Sequence, residues 1–316
     1  MKKFLISMLA VVAFASCSND ETLSLNPGEA ISFGDAFVNN STRAFYSNSS
    51  LFDSFNVYGF VEGDASANAK IFDFAEVTGS ALNGDWSYTG QQYWINGANY
   101  KFHAVAPTTA KVTNNAATFA DGVTLDFEND GTEDLLYAYK AATGLVSSND
   151  KVKFTFRHLL SKVKFSFVNA YNADGTSIKV KNIKITNAYA NASIALNNET
   201  VTWSGWSNPT LALAFGDANN SDESEKEWLL IPSDSYAYDV DFDVELYYGT
   251  TLIKTFPHTK STVTFAPAAG CSYDITATIN KDNIDEAGAQ EKIEFTVTTI
   301  KDWTPTTAND VNLPIQ

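Results

Sequence analysis

The chain has 316 residues, 44% of them hydrophobic and 13% aromatic, enough for one large or two medium domains with sizeable cores. Its net charge of −16 excludes partners held through basic patches, nucleic acid and anionic lipid surfaces among them. After the N-terminus, no stretch approaches the ~20 apolar residues of a membrane-spanning helix.

Lys2 and Lys3 open the chain with positive charge, and Phe4–Phe14 is an apolar run too short to anchor in a bilayer. Ala15 and Ser16 are the small residues of a cleavage site, so residues 1–16 read as a secretory signal. Cys17 then occupies the position of a bacterial lipobox cysteine, lipidated and first in the mature chain. The membrane is therefore a partner through the lipid on Cys17. Ser18-Asn19-Asp20-Glu21 resembles the short acidic signal that sends lipoproteins to the outer face of the outer membrane. With Cys17 occupied, Cys271 is the one cysteine left, so the mature fold rests on its core without an intramolecular disulfide.

The next element is a strand over Ala30–Val38. It places Ile31, Phe33 and Phe37 on one face, with Asp35 breaking the stripe. The polar stretch Asn39–Ala44 follows and reads as a loop. It holds Arg43, one of two arginines and the sole basic residue between Cys17 and Lys70. An exposed basic residue in a loop suits a trypsin-like protease. A solvated surface arginine is the plainer alternative.

Residues 44–150 carry blurred strands at Phe55–Phe60, Tyr93-Trp94 and Tyr100–Val105, and Ser147–Asp150 reads as a linker. From residue 151 the alternation is crisp. It marks strands at Phe154–Phe156, Val163–Phe167, Ile178–Ile185, Val240–Leu246, Tyr273–Ile279 and Ile293–Val297. No later segment holds a helical stripe over three turns. Short, regularly spaced strands of this kind predict an all-β protein built of β-sandwiches.

Little in this pattern supports chemistry. His103, His158 and His258 stand far apart, and three isolated histidines are more often structural than ligands. Asp126–Gly131 resembles the start of a calcium loop, but position twelve is Tyr137 where a bidentate glutamate is needed. A turn with solvated acids is the plainer reading. No catalytic residue, metal or cofactor is expected, and the chain is not read as an enzyme. Trp86, Trp94, Trp203, Trp206, Trp228 and Trp303 serve either as core or as a glycan-stacking platform.

Val152–Val163, with its strand, His158, Leu159-Leu160, small Ser161 and second strand, resembles a motif of the fimbrillin-type pilins of type V pili. Trp228–Pro232, Phe265–Tyr273 and the closing Lys301-Asp302-Trp303 resemble later motifs of the same family, in the same order. The resemblance implies two tandem transthyretin-like β-sandwich domains, here over residues 44–150 and 151–316. It implies a pro-segment over 17–43 that an arginine-specific protease removes by cutting between Arg43 and Ala44. The strand holding Ile31, Phe33 and Phe37 is then the removable one, and a strand of another pilin subunit takes its place. The candidate donor is the tail Val311–Gln316, with Val311, Leu313 and Ile315 facing one way and Pro314 lacking an N–H. That tail is shorter than the family's shaft donors, leaving shaft, tip and accessory roles open. The implied itinerary runs from outer-membrane lipoprotein precursor to fimbrium. A lipoprotein that stays tethered and binds a host glycan or protein through aromatic loops is the alternative.

Overall fold

The structure, a computed structural model, describes residues 29–38, 53–62, 69–80, 85–144, 151–171, 173–219, 223–284 and 293–300. In chain order its strands are β1 (Phe33–Val38), β2 (Ser54–Val61), β3 (Ala69–Ser80), β4 (Asp85–Tyr88), β5 (Asn99–Ala106) and β6 (Val112–Thr118). Next come β7 (Gly122–Glu128), β8 (Leu136–Thr143), β9 (Val152–His158), β10 (Ser161–Asn169), β11 (Thr176–Asn197) and β12 (Thr200–Asn219). The last are β13 (Trp228–Leu230), β14 (Tyr236–Tyr248), β15 (Thr251–Phe265), β16 (Ser272–Ile279) and β17 (Phe295–Ile300). A single 3₁₀ turn at Asp282–Ile284 is the one helical element among the described residues. The all-β expectation holds, and every run of alternation read from the sequence falls on a strand or touches one, but Tyr93-Trp94 forms no strand and contributes only an isolated bridge from Tyr93 to Ala30.

Three sheets organise these strands. The first has the order β1-β9-β8-β5-β2-β3-β4, and the second the order β13-β10-β16-β17. The third is built on β11, whose 22 residues serve both ends of the molecule. One edge of β11 pairs with β12 along its length, from Lys179↔Asn219 to Asn197↔Thr200. Its other edge takes β14 at residues 176–185 and β7 at residues 191–196. β15 extends this sheet beyond β14, and β6 beyond β7. Sheet pairing therefore crosses residue 150 twice, through β7 on β11 and through β9 in the first sheet. At the β6–β7 turn Gly122 has φ +78°, and a Cβ there would lie 2.1 Å from the Leu196 carbonyl, so only glycine fits.

Burial follows from this layering. The second sheet packs on β11, β14 and β15 around Phe165, Phe167, Ile183, Phe215, Phe242 and Ile275. The first sheet is covered on both faces, which explains why β2 is buried at seven consecutive positions rather than at alternate ones. Tyr58, Phe60 and Tyr137 point from one face toward β7 and the distal half of β11, meeting Leu125, Ile194 and Leu196. Phe55, Phe72, Phe102 and Phe154 point from the other face into a separate core with Ile31 and Phe33. That core is enclosed by the sheet itself. The sheet curls until β1 and β4, the two ends of its strand order, approach each other.

Candidate functional site: the groove that holds the first strand

β1 is the stave that closes the curled sheet. Along one side it runs parallel to β9, from Phe33↔Val152 to Val38↔Phe156. Val152 donates its N–H to the Ser32 carbonyl at 2.8 Å. On the other side, the residues just before β1 are stitched to the segment after β4. Ile31 N–H donates to the Gln92 carbonyl (2.8 Å) and Trp94 N–H to the Glu29 carbonyl (3.0 Å). The Tyr88 hydroxyl donates to the Ile31 carbonyl at 2.6 Å and accepts from Gln92 N–H at 3.2 Å. Burial pushes the Tyr88 hydroxyl above its ordinary pKa, keeping it a donor.

The side chains of this segment define a groove. Ile31 and Phe33 are each 1% exposed and Ala36 is 2% exposed. Phe33 sits among aromatic rings, with centroids at 5.6 Å for Phe72 and Tyr88, 5.8 Å for Phe55 and Phe154, and 6.2 Å for Phe102. Most of these contacts are edge-on, the arrangement that ring quadrupoles favour. Trp86 and Trp94 complete the wall, the latter packed edge-on against Tyr100 at 4.7 Å.

Asp35 does more than interrupt a stripe. The register shifts between Gly34 and Ala36, so a bulge at Asp35 changes the phase of the strand. The inward set described is Ile31, Phe33 and Ala36. Phe37 lies in β1 with its backbone opposite Thr155, and its side chain lies outside the described residues. Cys17, Arg43, Ala44, Val311, Leu313 and Ile315 also lie outside them.

The remaining candidates are structural in their surroundings. His103, His158 and His258 are all buried. His103 Nδ1 shares a 2.9 Å hydrogen bond with the Tyr137 hydroxyl, and burial lowers its pKa to about 4. His158 Nδ1 meets the buried Asp134 carboxylate, and Leu159 N–H donates to the Leu135 carbonyl, fastening the turn from β9 into β10. Of the tryptophans, Trp86 and Trp94 are buried, while Trp203, Trp206 and Trp228 are half-buried against the cores. Trp206 and Trp228 donate their indole N–H groups to the Pro232 and Ala214 carbonyls. None of these five forms an exposed platform.

The run Asp126–Gly131 is the end of β7 followed by a turn. Asp130 accepts from Thr132 N–H at 2.9 Å and from its hydroxyl at 2.7 Å, while Asn129 accepts from Gly131 N–H. Among the described residues no group of three or more His, Cys, Asp or Glu is placed to hold a metal. Sequence reasoning missed Tyr88 and Gln92 as groove elements. Their role arises from pairing with a distant segment, and only the aromatic Tyr93-Trp94 signal lay nearby.

Comparison with known proteins agrees with this architecture. The chain matches the Fimbrillin-like family over residues 42–303 and belongs to that family. The matched region begins beyond β1. A fimbrial protein from Bacteroides vulgatus has a similar structure, with a TM-score of 0.62 at 18% identity, covering 88% of this chain and 100% of that one. A candidate cell adhesion protein from Bacteroides uniformis aligns with a TM-score of 0.47 at 17% identity, over 88% of this chain and 99% of that one. No curated protein sequence matches the chain. Family membership supports a structural, non-enzymatic subunit of a fimbria, assembled with other subunits at the cell surface.

Proposed function

We propose that this chain is a fimbrial subunit kept from assembling by its own β1, and that cleavage between Arg43 and Ala44 starts strand exchange. The observation that carries the reading is the burial of Ile31 and Phe33 inside a sheet whose two end strands, β1 and β4, approach each other. All of β1 lies before Arg43 in the chain, so one cut leaves it held by noncovalent contacts alone. Its departure uncovers two large apolar side-chain sites, each worth about 1.5–3 kcal/mol of burial. It also bares the β9 edge to any passing strand.

The hold of β1 is incomplete in ways that favour replacement. The Asp35 bulge interrupts the ladder with β9, and Glu29 Oε2 is buried with no hydrogen-bond partner among the described residues. The incoming strand comes from a neighbouring subunit, the Val311–Gln316 segment with Val311, Leu313 and Ile315 being the candidate within this chain. The lipid on Cys17 then serves as a transient tether that delivers the folded precursor to the outer membrane surface. Residues 17–43 act as a pro-segment, and the assembled subunit begins at Ala44.

The test is treatment of the full chain with an arginine-specific protease, followed by mass measurement of the new N-terminus and gel analysis. The expected result is an N-terminus at Ala44 and exchange of the β1 segment for an excess of labelled Glu29–Val38 peptide, both lost in Arg43→Ala. Uptake of the labelled peptide by Arg43→Ala treated in the same way, or a chain cleaved at Arg43 that keeps its own β1 segment and takes up none, overturns the proposal.

A further inference from the structure

The groove is more selective than an apolar trough. It sets aromatic rings around one position of its occupant, buries the side chain two residues earlier, and places a lysine stem close beside the residue that follows. Phe33 stands at the aromatic position, stacked on Phe154 at 5.8 Å with the planes 21° apart and edge-on to Phe55 and Tyr88. Ile31, two residues earlier, fills the aliphatic position and is 1% exposed. Gly34 marks the crowded position. A Cβ there would lie 2.7 Å from Lys151 Cδ and 3.0 Å from Lys151 Cβ, so a larger residue requires the lysine stem to shift.

Register is fixed independently of these pockets. The Ser32 carbonyl is claimed by Val152 on one side, while Ile31 is claimed by the Gln92 carbonyl and the Tyr88 hydroxyl on the other. A strand slipped by one residue turns its apolar residues outward. The occupant therefore meets all three positions in one alignment.

We infer that the groove selects an incoming strand of the pattern aliphatic, any residue, aromatic, small residue, and so takes its donor from a different subunit rather than from the Val311–Gln316 segment of a second copy. This rests on the strand-exchange reading above. In Val311-Asn312-Leu313-Pro314-Ile315, either register that keeps the apolar residues inward sets an aliphatic side chain against the rings. With Leu313 at the Phe33 position, Pro314 falls at the crowded Gly34 position and brings no N–H to the ladder. An aromatic anchor adds ring–ring attraction that no aliphatic residue supplies.

Competition binding tests this on the full chain cleaved by the arginine-specific protease. The probe is a fluorescent peptide of residues Glu29–Val38, and the competitors are unlabelled versions of it. The Phe33→Leu peptide should compete about tenfold more weakly than the unchanged one, and Phe33→Ala about 100-fold or more. A length-matched peptide carrying Ile31→Val, Ser32→Asn, Phe33→Leu and Gly34→Pro mimics the tail and should lose more than Phe33→Leu alone. If this mimic competes within about threefold of the unchanged peptide, the selectivity is refuted and strand exchange stands. If the unchanged peptide itself does not bind, strand exchange fails and this inference fails with it.

Discussion

Arg157, the second arginine, should survive a protease that is given access to the first. It lies in β9 with its backbone opposite Tyr137, its guanidinium 5.6 Å from the Tyr137 ring and donating to the Glu199 carbonyl. A protease needs the segment out of the sheet, and drawing out β9 exposes Val152, Phe154 and Phe156, now 4%, 1% and 0% exposed. At about 1.5–3 kcal/mol per side chain, opening costs about 5–9 kcal/mol. When reclosing outpaces cleavage, the open fraction and the cutting rate fall by roughly 10³ to 10⁶-fold relative to an exposed arginine. The structure adds a second expectation. β9 shares only Leu136↔His158 and Tyr137↔Arg157 with β8, so much of its ladder is with β1. Losing β1 should therefore speed the cut at Arg157, and a bound Glu29–Val38 peptide should slow it again. The assay is a time course of fragments resolved by mass. Cutting at Arg157 in the intact chain as fast as at any other site would refute the account of how β9 is held.

Three further outcomes follow from the same contacts. Phe33→Ala in the uncleaved chain should lower unfolding free energy by about 3–5 kcal/mol in urea titration, and a loss below about 1 kcal/mol would show that the ring pocket collapses without cost. Tyr88→Phe removes the bond to the Ile31 carbonyl, should cost about 1 kcal/mol, and after cleavage should hasten loss of the β1 segment several-fold by mass spectrometry. The third outcome concerns acid. Burial, aided by Lys101, holds the His103 pKa at about 4, below the ordinary 6.5 that applies when the chain is unfolded, and burial lowers His258 as well. Between those values the unfolded chain binds a proton that the folded chain resists, so stability falls as pH drops from about 6.5 toward 4 and is level in this respect above 6.5. His103 alone contributes about 3 kcal/mol to that fall. Urea midpoints across pH should show a shallower acid limb in His103→Gln, and an unchanged limb would count against the assignment.

Period-two alternation made the strand content legible, because half-buried strands such as β9, β10, β14 and β16 must alternate. β2 blurred for the opposite reason. It is buried on both faces, so Phe55-Asn56-Val57-Tyr58 carries no polar face to alternate with. The removable-strand candidate was visible through Ile31 and Phe33, and the break at Asp35 signalled the bulge without saying that Ala36 takes the inward place. Pairing was not legible. Parallel neighbours such as β1 with β9, or β10 with β16, join segments with no shared local signal, and their register depends on which cores they close. Nor does the sequence between Ile178 and Ile185 announce that β11 continues to Asn197 and changes partners on the way.

The position of β1 in the sequence sets what the proposed cut of one peptide bond would do to a strand that touches so many rings. Its partner β9 lies more than a hundred residues away, so β1–β9 pairing is a long-range contact whose closure entropy is met late in folding. While the chain is whole, β1 reaches its groove at the effective concentration of a tethered segment, in the millimolar range for a short link. Cutting the link removes none of the contacts of Ile31 or Phe33. It changes the concentration against which they compete, from millimolar to that of the free segment. A thousandfold drop is about 4 kcal/mol, larger than the burial of either side chain taken alone. Under the proposed cleavage, proteolysis would therefore open the groove without weakening it, and the pocket that holds β1 would keep its full affinity for an incoming strand.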